Sequence, residues 1–472
     1  MNRRQFISFA SGPIVSAGIG LLTLPIIAWQ FSGEDVGRNA IYQVTVALAV
    51  VIFVLGLDQA FVREYHETAD WRRLFKSCFT PGFIALLGAT AACVAYAPNL
   101  SRLLYGKEES LWIVLTAVSV ILAYANRFLS LILRVQERGL EFSATQILPK
   151  LAVILLLLAY PMLHVKVEFR DLLLVNLIAA VTVCAVLIFN LRRDLRSIAL
   201  SQVSRDELRT LLKFGLPLIG AGLASWSLNA TSSLTLRSMS TFAELGIYSM
   251  TVSFAGAALV LQAVFSTIWM PTVYKWVAAG EGDAQISSAI RIVLALACLI
   301  GALTGSLSRL IDFVLPPGYQ TVKFLLAACM TQSLFYTVSE AAAIGINVQR
   351  KTSLALATAV CALAVNVLFS FMLVPKYGAR GAAAANTIAF LAFCIVRTEF
   401  SARSWSSIPR KRIHTNVAVL AAAAVVTAFS STYDGSFAVQ TILWSLLFVG
   451  FAYQFRCEIR ELVRLTLGIR SA

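Results

Sequence analysis

The sequence predicts an all-α integral membrane protein of about 14 transmembrane helices, and three observations carry that prediction. The first is composition: of 472 residues, 58% are hydrophobic and only 13% charged, with a mean hydropathy of +0.78. Soluble domains carry about a quarter charged residues. The second is the recurrence of apolar runs of roughly 20 residues along the whole length, each long enough to cross a bilayer core as a helix. The third is the placement of Lys and Arg in alternate connecting segments, about 25 in one set against about 8 in the other, which is the positive-inside pattern. Alternating strands of about ten residues are absent, which argues against an outer-membrane barrel.

The spans fall at approximately 6–30, 40–62, 78–98, 111–133, 144–163, 172–191, 214–236, 246–270, 290–310, 323–346, 353–374, 381–400, 416–431 and 437–455. The first runs from Phe6 to Trp29 behind Arg3-Arg4. No small-residue cleavage site follows, so it reads as a retained membrane helix rather than a signal peptide. The second ends in the charged stretch "GLDQAFVREYHE", and the sixth in the basic stretch "RRDLRSIALSQVSRDELRTLLK". Before the seventh, Ser204 and Glu207 have capping-box spacing, so a helix starts at Ser204 in the interface. Pro217 removes a backbone donor and bends that helix as it enters the membrane. The thirteenth span is short and Ala-rich, and the fourteenth is followed by "RCEIRELVRLTLGIR". An even count places both termini on one side. All the strongly basic segments fall there, so that side reads as cytoplasmic.

The formal net charge of +15 therefore reports topology rather than a nucleic-acid partner. Eight Cys stand singly with no CxxC, and His66, His164 and His414 lie far apart, which gives no support to a disulfide framework or a metal site. No GxxxxGK[ST] phosphate loop and no HExxH is present. The sequence thus predicts no cofactor and no catalytic centre. A membrane-embedded glycosyltransferase or polymerase needs a large outward loop or catalytic domain, and the outward segments here are too short.

The chain repeats itself at a separation of about 200 residues. A broken start near Gly12-Pro13 leads into "FSGEDVGRNAIYQVTVAL", and Gly215-Leu216-Pro217 leads into "MSTFAELGIYSMTVSF". Each has a short acidic loop, then Gly, then Ile-Tyr. The repeat divides the chain into a six-helix lobe at 1–203, a second at 204–400, and a helix pair with a basic tail at 401–472. Parallel six-helix repeats around a central cavity are a transporter plan.

Ionisable residues at membrane depth are costly and mark cavities, partners or interfaces. Arg127 shares a helical face with Tyr124, Ser130 and Arg134, and reads either as a cationic cavity wall or as a side chain snorkelling to headgroups. Lys150, behind Pro149, carries the same two readings, and in the first it meets Arg127 across neighbouring helices. Asp58 and Arg63 read as a local contact or a cytoplasmic gate. Glu340 reads as a proton-carrying carboxylate or as one end of a helix–helix bond. Arg397 and Glu399 read as an anchoring pair. Within 214–233, Gly222, Ser225, Asn229 and Ser232 lie on one helical face. Gly and Ser suit close packing. Trp226, Asn229, Thr231 and Ser232 together favour a wall facing water or substrate, since amides and hydroxyls in hydrocarbon need partners.

These segments resemble a known family. "FGLPLIGAGLASWSLNATSSLTLRSMSTFAELGIYSM", with Pro217, Trp226, Ala243-Glu244, Gly246 and Tyr248, resembles the start of the second lobe in bacterial polysaccharide transporters, the O-antigen and capsule flippases. "GLDQAFVREY" resembles the end of their second helix, and "LVPKYGARGAAAANTIAF" their connection between the eleventh and twelfth. The likeness runs across nearly the whole chain. One departure stands out: many relatives carry an Asp-Arg pair in the seventh helix, where this chain has Ser232-Ser233. No mechanism resting on that pair is carried over.

The resemblance implies two six-helix lobes in a V, with a cavity opening alternately to either side of a bacterial inner membrane. It implies as substrate an oligosaccharide on a polyprenyl pyrophosphate, moved from the cytoplasmic to the periplasmic leaflet, with a polysaccharide polymerase and chain-length proteins as partners. Arg127 and Lys150 would supply phosphate contacts, and Tyr124, Trp226, Asn229 and Ser232 a wet wall for sugar. The alternative within the same superfamily is a cation-coupled multidrug exporter, with Glu340 as the coupling carboxylate.

Overall fold

The protein is described from a computed structural model, which covers residues 3–467 except 161–166, 202–204, 281, 350, 404, 406–407 and 431–435. Among the described residues every regular element is helical. The chain divides into two compact units, Met1–Ala230 and Thr231–Ala472, with the division inside the seventh span.

The first unit contains α1 (Arg3–Gln30), α2 (Gly33–Phe53), α3 (Leu57–Glu64), α4 (Trp71–Ala95), α5 (Ala97–Tyr105), α6 (Ser110–Val135), α7 (Gly139–Ala159) and α8 (Phe169–Leu200). It also holds most of α9 (Arg205–Met239). Side-chain caps supply acceptors for the first free N–H groups of several of these helices. Ser32 accepts from the Asp35 N–H at the start of α2, Asp70 from Arg72 and Arg73 at the start of α4, and Glu168 and Asp171 form a reciprocal box at α8. Ser204, the expected cap of α9, lies outside the described residues. The unit's core is aromatic. Phe61, Phe75, Phe79, Phe83 and Phe128 meet edge to face or stacked and Tyr124 meets its neighbours tilted, with centroids 5.0 to 6.2 Å apart.

The second span departs from expectation. In place of one helix over 40–62, the chain breaks between α2 and α3, where Leu55 and Gly56 both take positive φ (55° and 67°). Gly adopts this region freely, whereas a leucine there costs on the order of 1–2 kcal/mol. Neighbouring glycines seat the break. A Cβ on Gly56 would lie 2.3 Å from the Gly215 carbonyl oxygen, and one on Gly82 would lie 2.0 Å from that of Phe53. The broken span therefore passes α4 and α9 in backbone contact.

The second unit holds α10 (Phe242–Ala255), α11 (Ala257–Ala278), α12 (Gly282–Leu307), α13 (Val322–Ala342), α14 (Ile344–Val348), α15 (Thr352–Ala402), α16 (Arg410–Ser430), α17 (Ser436–Gln454) and α18 (Arg456–Leu467). α13 is the most enclosed of the membrane-length helices although it is not apolar all round: Thr331, Ser333 and Ser339 are buried in it, while Gln332, Tyr336, Thr337 and Glu340 stay half-buried. Against it lies the "GAAAAN" arm of α15, whose Ala382, Ala383, Ala384 and Ala385 are fully buried. Small side chains let these two backbones approach closely. α16 and α17 pack on α12, α13 and α15 within the same unit.

A straight helix as long as α15 would extend about 75 Å, more than twice a hydrocarbon core of about 30 Å. It breaks at Gly378 (φ 53°, ψ −127°). Glu244, 135 residues earlier in α10, accepts the Ala379 N–H there at 2.7 Å. Among the described residues eleven helices are long and apolar enough to cross a membrane, and the bent pair Ala438–Gln454 and Arg456–Leu462 reaches that measure only when its two parts are taken together. The two arms of α15, and the apolar stretch Ile14–Gln30 of α1, give a helical counterpart to each of the fourteen expected spans.

The internal repeat is visible in local geometry. Ser32 accepts from the N–H three residues on, at Asp35, and Thr241 from that of Glu244. In both segments Gly follows five residues after the cap, at Gly37 and Gly246, and both of these glycines are buried.

Candidate functional site

The break after α2 decides where the charged residues fall. Starting a new helix at Leu57 puts Asp58 in the first turn of α3, where its Oδ1 accepts the Gln59 N–H at 2.8 Å. Its Oδ2 receives Arg127 of α6, from Nη2 at 2.6 Å and Nε at 3.2 Å. Asp58 is nearly enclosed (side chain 9% exposed), whereas Arg127 is 45% exposed. The buried carboxylate thus holds the Nε–Nη2 edge of a guanidinium that remains partly exposed. Arg63, one turn and a half further along α3, lies 4.7 Å over the ring of Phe214. It also pairs at 3.6 Å with Glu64.

These groups line a cavity of about 950 Å³ inside the first unit. Its walls are apolar and come from two helices. α2 contributes Val50, Val51 and Val54, and α9 contributes Leu218, Ile219 and Gly222. Its polar end is formed by Asp58, Gln59 and Arg63 of α3 and Arg127 of α6. Among the groups that line the cavity, two arginines face one carboxylate, with Glu64 beside Arg63 outside the lining. A cavity with greasy walls and a cationic end suits an amphipathic anion, because arginine forms charge-assisted bonds to phosphate and carboxylate oxygens.

Several residues expected at a site lie elsewhere. Tyr124 is fully buried and donates to the Phe79 carbonyl at 2.7 Å, so it packs the aromatic core instead of lining a wet wall. Asp58 pairs with Arg127 across helices, not locally with Arg63. Lys150 is exposed on α7 and does not contribute to the lining around Arg127. On α9 the small-residue stripe divides. Gly222 lines the cavity, Ser225 and Asn229 are exposed, and Asn229 donates to the Ser225 carbonyl at 2.8 Å. Trp226 is half-buried and donates to the Val44 carbonyl at 3.2 Å. Ser232 is 1% exposed and belongs to the second unit, so it forms no part of a wet face.

Glu340 also lies in the second unit, on α13, where it accepts a short hydrogen bond from Ser266 of α11. The expected Arg397–Glu399 pair is replaced. Arg397 donates to Ser339 at 3.3 Å and lies over the rings of Tyr336 and Phe393, while Glu399 pairs with Arg410 at 3.2 Å. Sequence reasoning missed Gln59, Phe214 and the Gly56–Gly215 contact. Their only advance signal was the broken start read at Gly215-Leu216-Pro217. Among the described residues no group of His, Cys, Asp and Glu is arranged to hold a metal ion.

The fold is similar to that of a lipid II flippase, MurJ, in an inward closed conformation. The TM-score is 0.69 at 13% identity, over 96% of this chain and all of the other. It is also similar to an inward-facing multidrug resistance MATE family transporter of the MOP superfamily, at TM-score 0.60 and 14% identity, over 85% of this chain and 95% of the other. A MOP superfamily transporter from Pyrococcus furiosus aligns at 0.50 and 17% identity, over 87% and 96%. Identities this low speak to the fold. The chain thus shares the fold of these solved transporters. Residues 3–277, more than half of the chain, match the family described as polysaccharide biosynthesis protein, and the chain belongs to that family. No curated protein matches the sequence.

Proposed function

We propose that the protein is a flippase that moves a polyprenyl-pyrophosphate-linked oligosaccharide, an O-antigen, capsule or exopolysaccharide repeat unit, from the cytoplasmic to the periplasmic leaflet of a bacterial inner membrane by alternating access. Both termini lie on the cytoplasmic side in this reading. The moving bodies are the six-helix lobes at 1–203 and 204–400, with 401–472 as an added helix pair. The observation that carries the reading is the lining of the cavity: apolar along α2 and α9, cationic where Arg127 and Arg63 meet Asp58 and Gln59. A diphosphate bridging sugar and lipid needs cations at the junction of a polar and an apolar compartment. Trp226, Asn229 and the remaining hydroxyls of α9 serve as partners for sugar.

Family membership supports a role in polysaccharide biosynthesis. In a strain lacking the protein and any redundant transporter, lipid-linked units are expected to accumulate on the cytoplasmic leaflet and surface glycan to disappear. Normal surface glycan in that strain sinks the reading.

One observation favours a second reading, a cation-coupled exporter of amphipathic drugs. The Glu340 carboxylate sits at membrane depth on α13 and is hydrogen-bonded by Ser266. An ionisable group there is costly unless it has a task. Proton-dependent drug efflux abolished by Glu340→Gln would support that reading, and efflux unchanged by the substitution would count against it.

A further inference from the structure

We infer that the elbow between α17 and α18 is a binding site for an anionic membrane phospholipid. It is a separate feature from the cavity and does not depend on what the protein transports. Val439, Ile442, Leu446, Val449 and Tyr453 recur at steps of three and four along α17, and each is between 59% and 70% exposed. Five large side chains in one exposed row suit contact with acyl chains. The row ends at Tyr453, an aromatic of the kind that settles at headgroup level. Two residues later, at Phe455, the chain bends by 71° into α18, the geometry of a helix leaving a membrane span to lie along the surface.

Charge on α18 is sorted by face. Glu458 is buried and accepts from Arg412 of α16 at 2.7 Å, with Arg291 of α12 at 3.9 Å. Glu461 accepts from Ser288 of α12 at 2.8 Å. The carboxylates are thus engaged with the body of the second unit. Arg456, Arg460 and Arg464 repeat at steps of four and are exposed, and they pair with no carboxylate among the described residues. The Arg456 guanidinium lies 4.9 Å over the ring of Tyr453, so the first cation of the row stands directly at the end of the apolar row. A lipid with its chains along α17 presents its phosphate at Arg456 and Arg460. Added negative headgroup charge is then matched by Arg464.

The test uses the purified full-length protein and measures thermal unfolding in detergent supplemented with phosphatidylglycerol, phosphatidylcholine or soluble glycerol phosphate. Phosphatidylglycerol is expected to raise the midpoint more than phosphatidylcholine, and glycerol phosphate not to raise it. Replacing Arg456, Arg460 and Arg464 together by Gln is expected to remove the phosphatidylglycerol increment, weakening lipid affinity roughly fivefold per arginine. The same three positions changed to Lys retain most of it, which separates charge recognition from damage to the helix. Equal stabilisation by the two lipids overturns the inference, as does an increment that survives the Gln triple variant. An equal effect of glycerol phosphate overturns it as well, by marking a site for free anions.

Discussion

Asp58 accepts two hydrogen bonds from one guanidinium, that of Arg127, across 69 residues of sequence and between two helices. The carboxylate is the buried partner and the guanidinium the exposed one. This inequality makes Asp58 a positioning residue for Arg127 at the polar end of the cavity. Asp58→Asn keeps the shape but removes the charge that holds the fork. With Arg127 partly solvated, screening limits the stability loss to about 1 kcal/mol. Binding of an anionic lipid is expected to change more than the midpoint of thermal unfolding does, because an unanchored guanidinium loses its orientation over the cavity. Parallel measurements of unfolding and of lipid binding on the same variant separate the two effects.

Backbone contact at the α2–α3 break has a sharper consequence. Gly56→Val places a β-branched side chain at positive φ and within 2.3 Å of the Gly215 carbonyl oxygen. Strain of about 1–2 kcal/mol adds to a steric displacement of α9. Gly215→Val meets the Leu55 carbonyl oxygen at 2.5 Å from the other side. Both variants are expected to lower the unfolding midpoint by several degrees. Gly220→Ala on the same helix, where a Cβ meets nothing within 4 Å, leaves it unchanged.

Glu244 ties α10 to the break in α15 through the Ala379 N–H. An anionic acceptor at a helix start satisfies a free donor and complements the helix dipole. Glu244→Ala is therefore expected to cost about 1–2 kcal/mol. Glu244→Gln keeps an acceptor oxygen and loses less. Chemical or thermal unfolding of the two variants in one detergent checks the order. Equal losses would show that the contact is steric only, through the seat of Gly378.

Tyr124 tests the division between core and cavity. Tyr124→Phe removes the hydroxyl that donates to the Phe79 carbonyl. A loss of about 1 kcal/mol of stability is expected for a buried hydrogen bond. Transport per folded molecule stays at the wild-type rate, because the ring remains in the aromatic cluster.

The membrane made much of the fold legible in advance. Helices must satisfy their backbone internally and span a fixed thickness, so length and hydropathy alone located the spans. The break at Leu55-Gly56 was not legible, because a Leu-Gly pair inside an apolar run carries no turn signature. Its cause is tertiary, in the approach of Gly82 and Gly215. Arg127 was visible as a cation at membrane depth, but not its pairing with Asp58, since contact between separate helices leaves no trace in spacing. Tyr124, three residues from Arg127, is rotated about 60° from it around the helix axis. That rotation moves it from the cavity into the aromatic core. The stripe from Gly222 to Ser232 was legible as a face, yet α9 passes from one unit to the next along it. Its first members therefore meet the cavity or stay exposed, while its last is buried.

The reading centres on Arg127 as the cation that recognises a lipid-linked diphosphate. The direct measurement is the binding of polyprenyl pyrophosphate and of the uncharged polyprenol to the purified protein, for wild type and Arg127→Ala. Wild type is expected to favour the pyrophosphate by at least about tenfold, the worth of a hydrogen bond to a charged group. Arg127→Ala is expected to bring the two ligands to within a few-fold of each other. A preference for pyrophosphate that Arg127→Ala leaves intact, or equal binding of the two lipids by wild type, would contradict it.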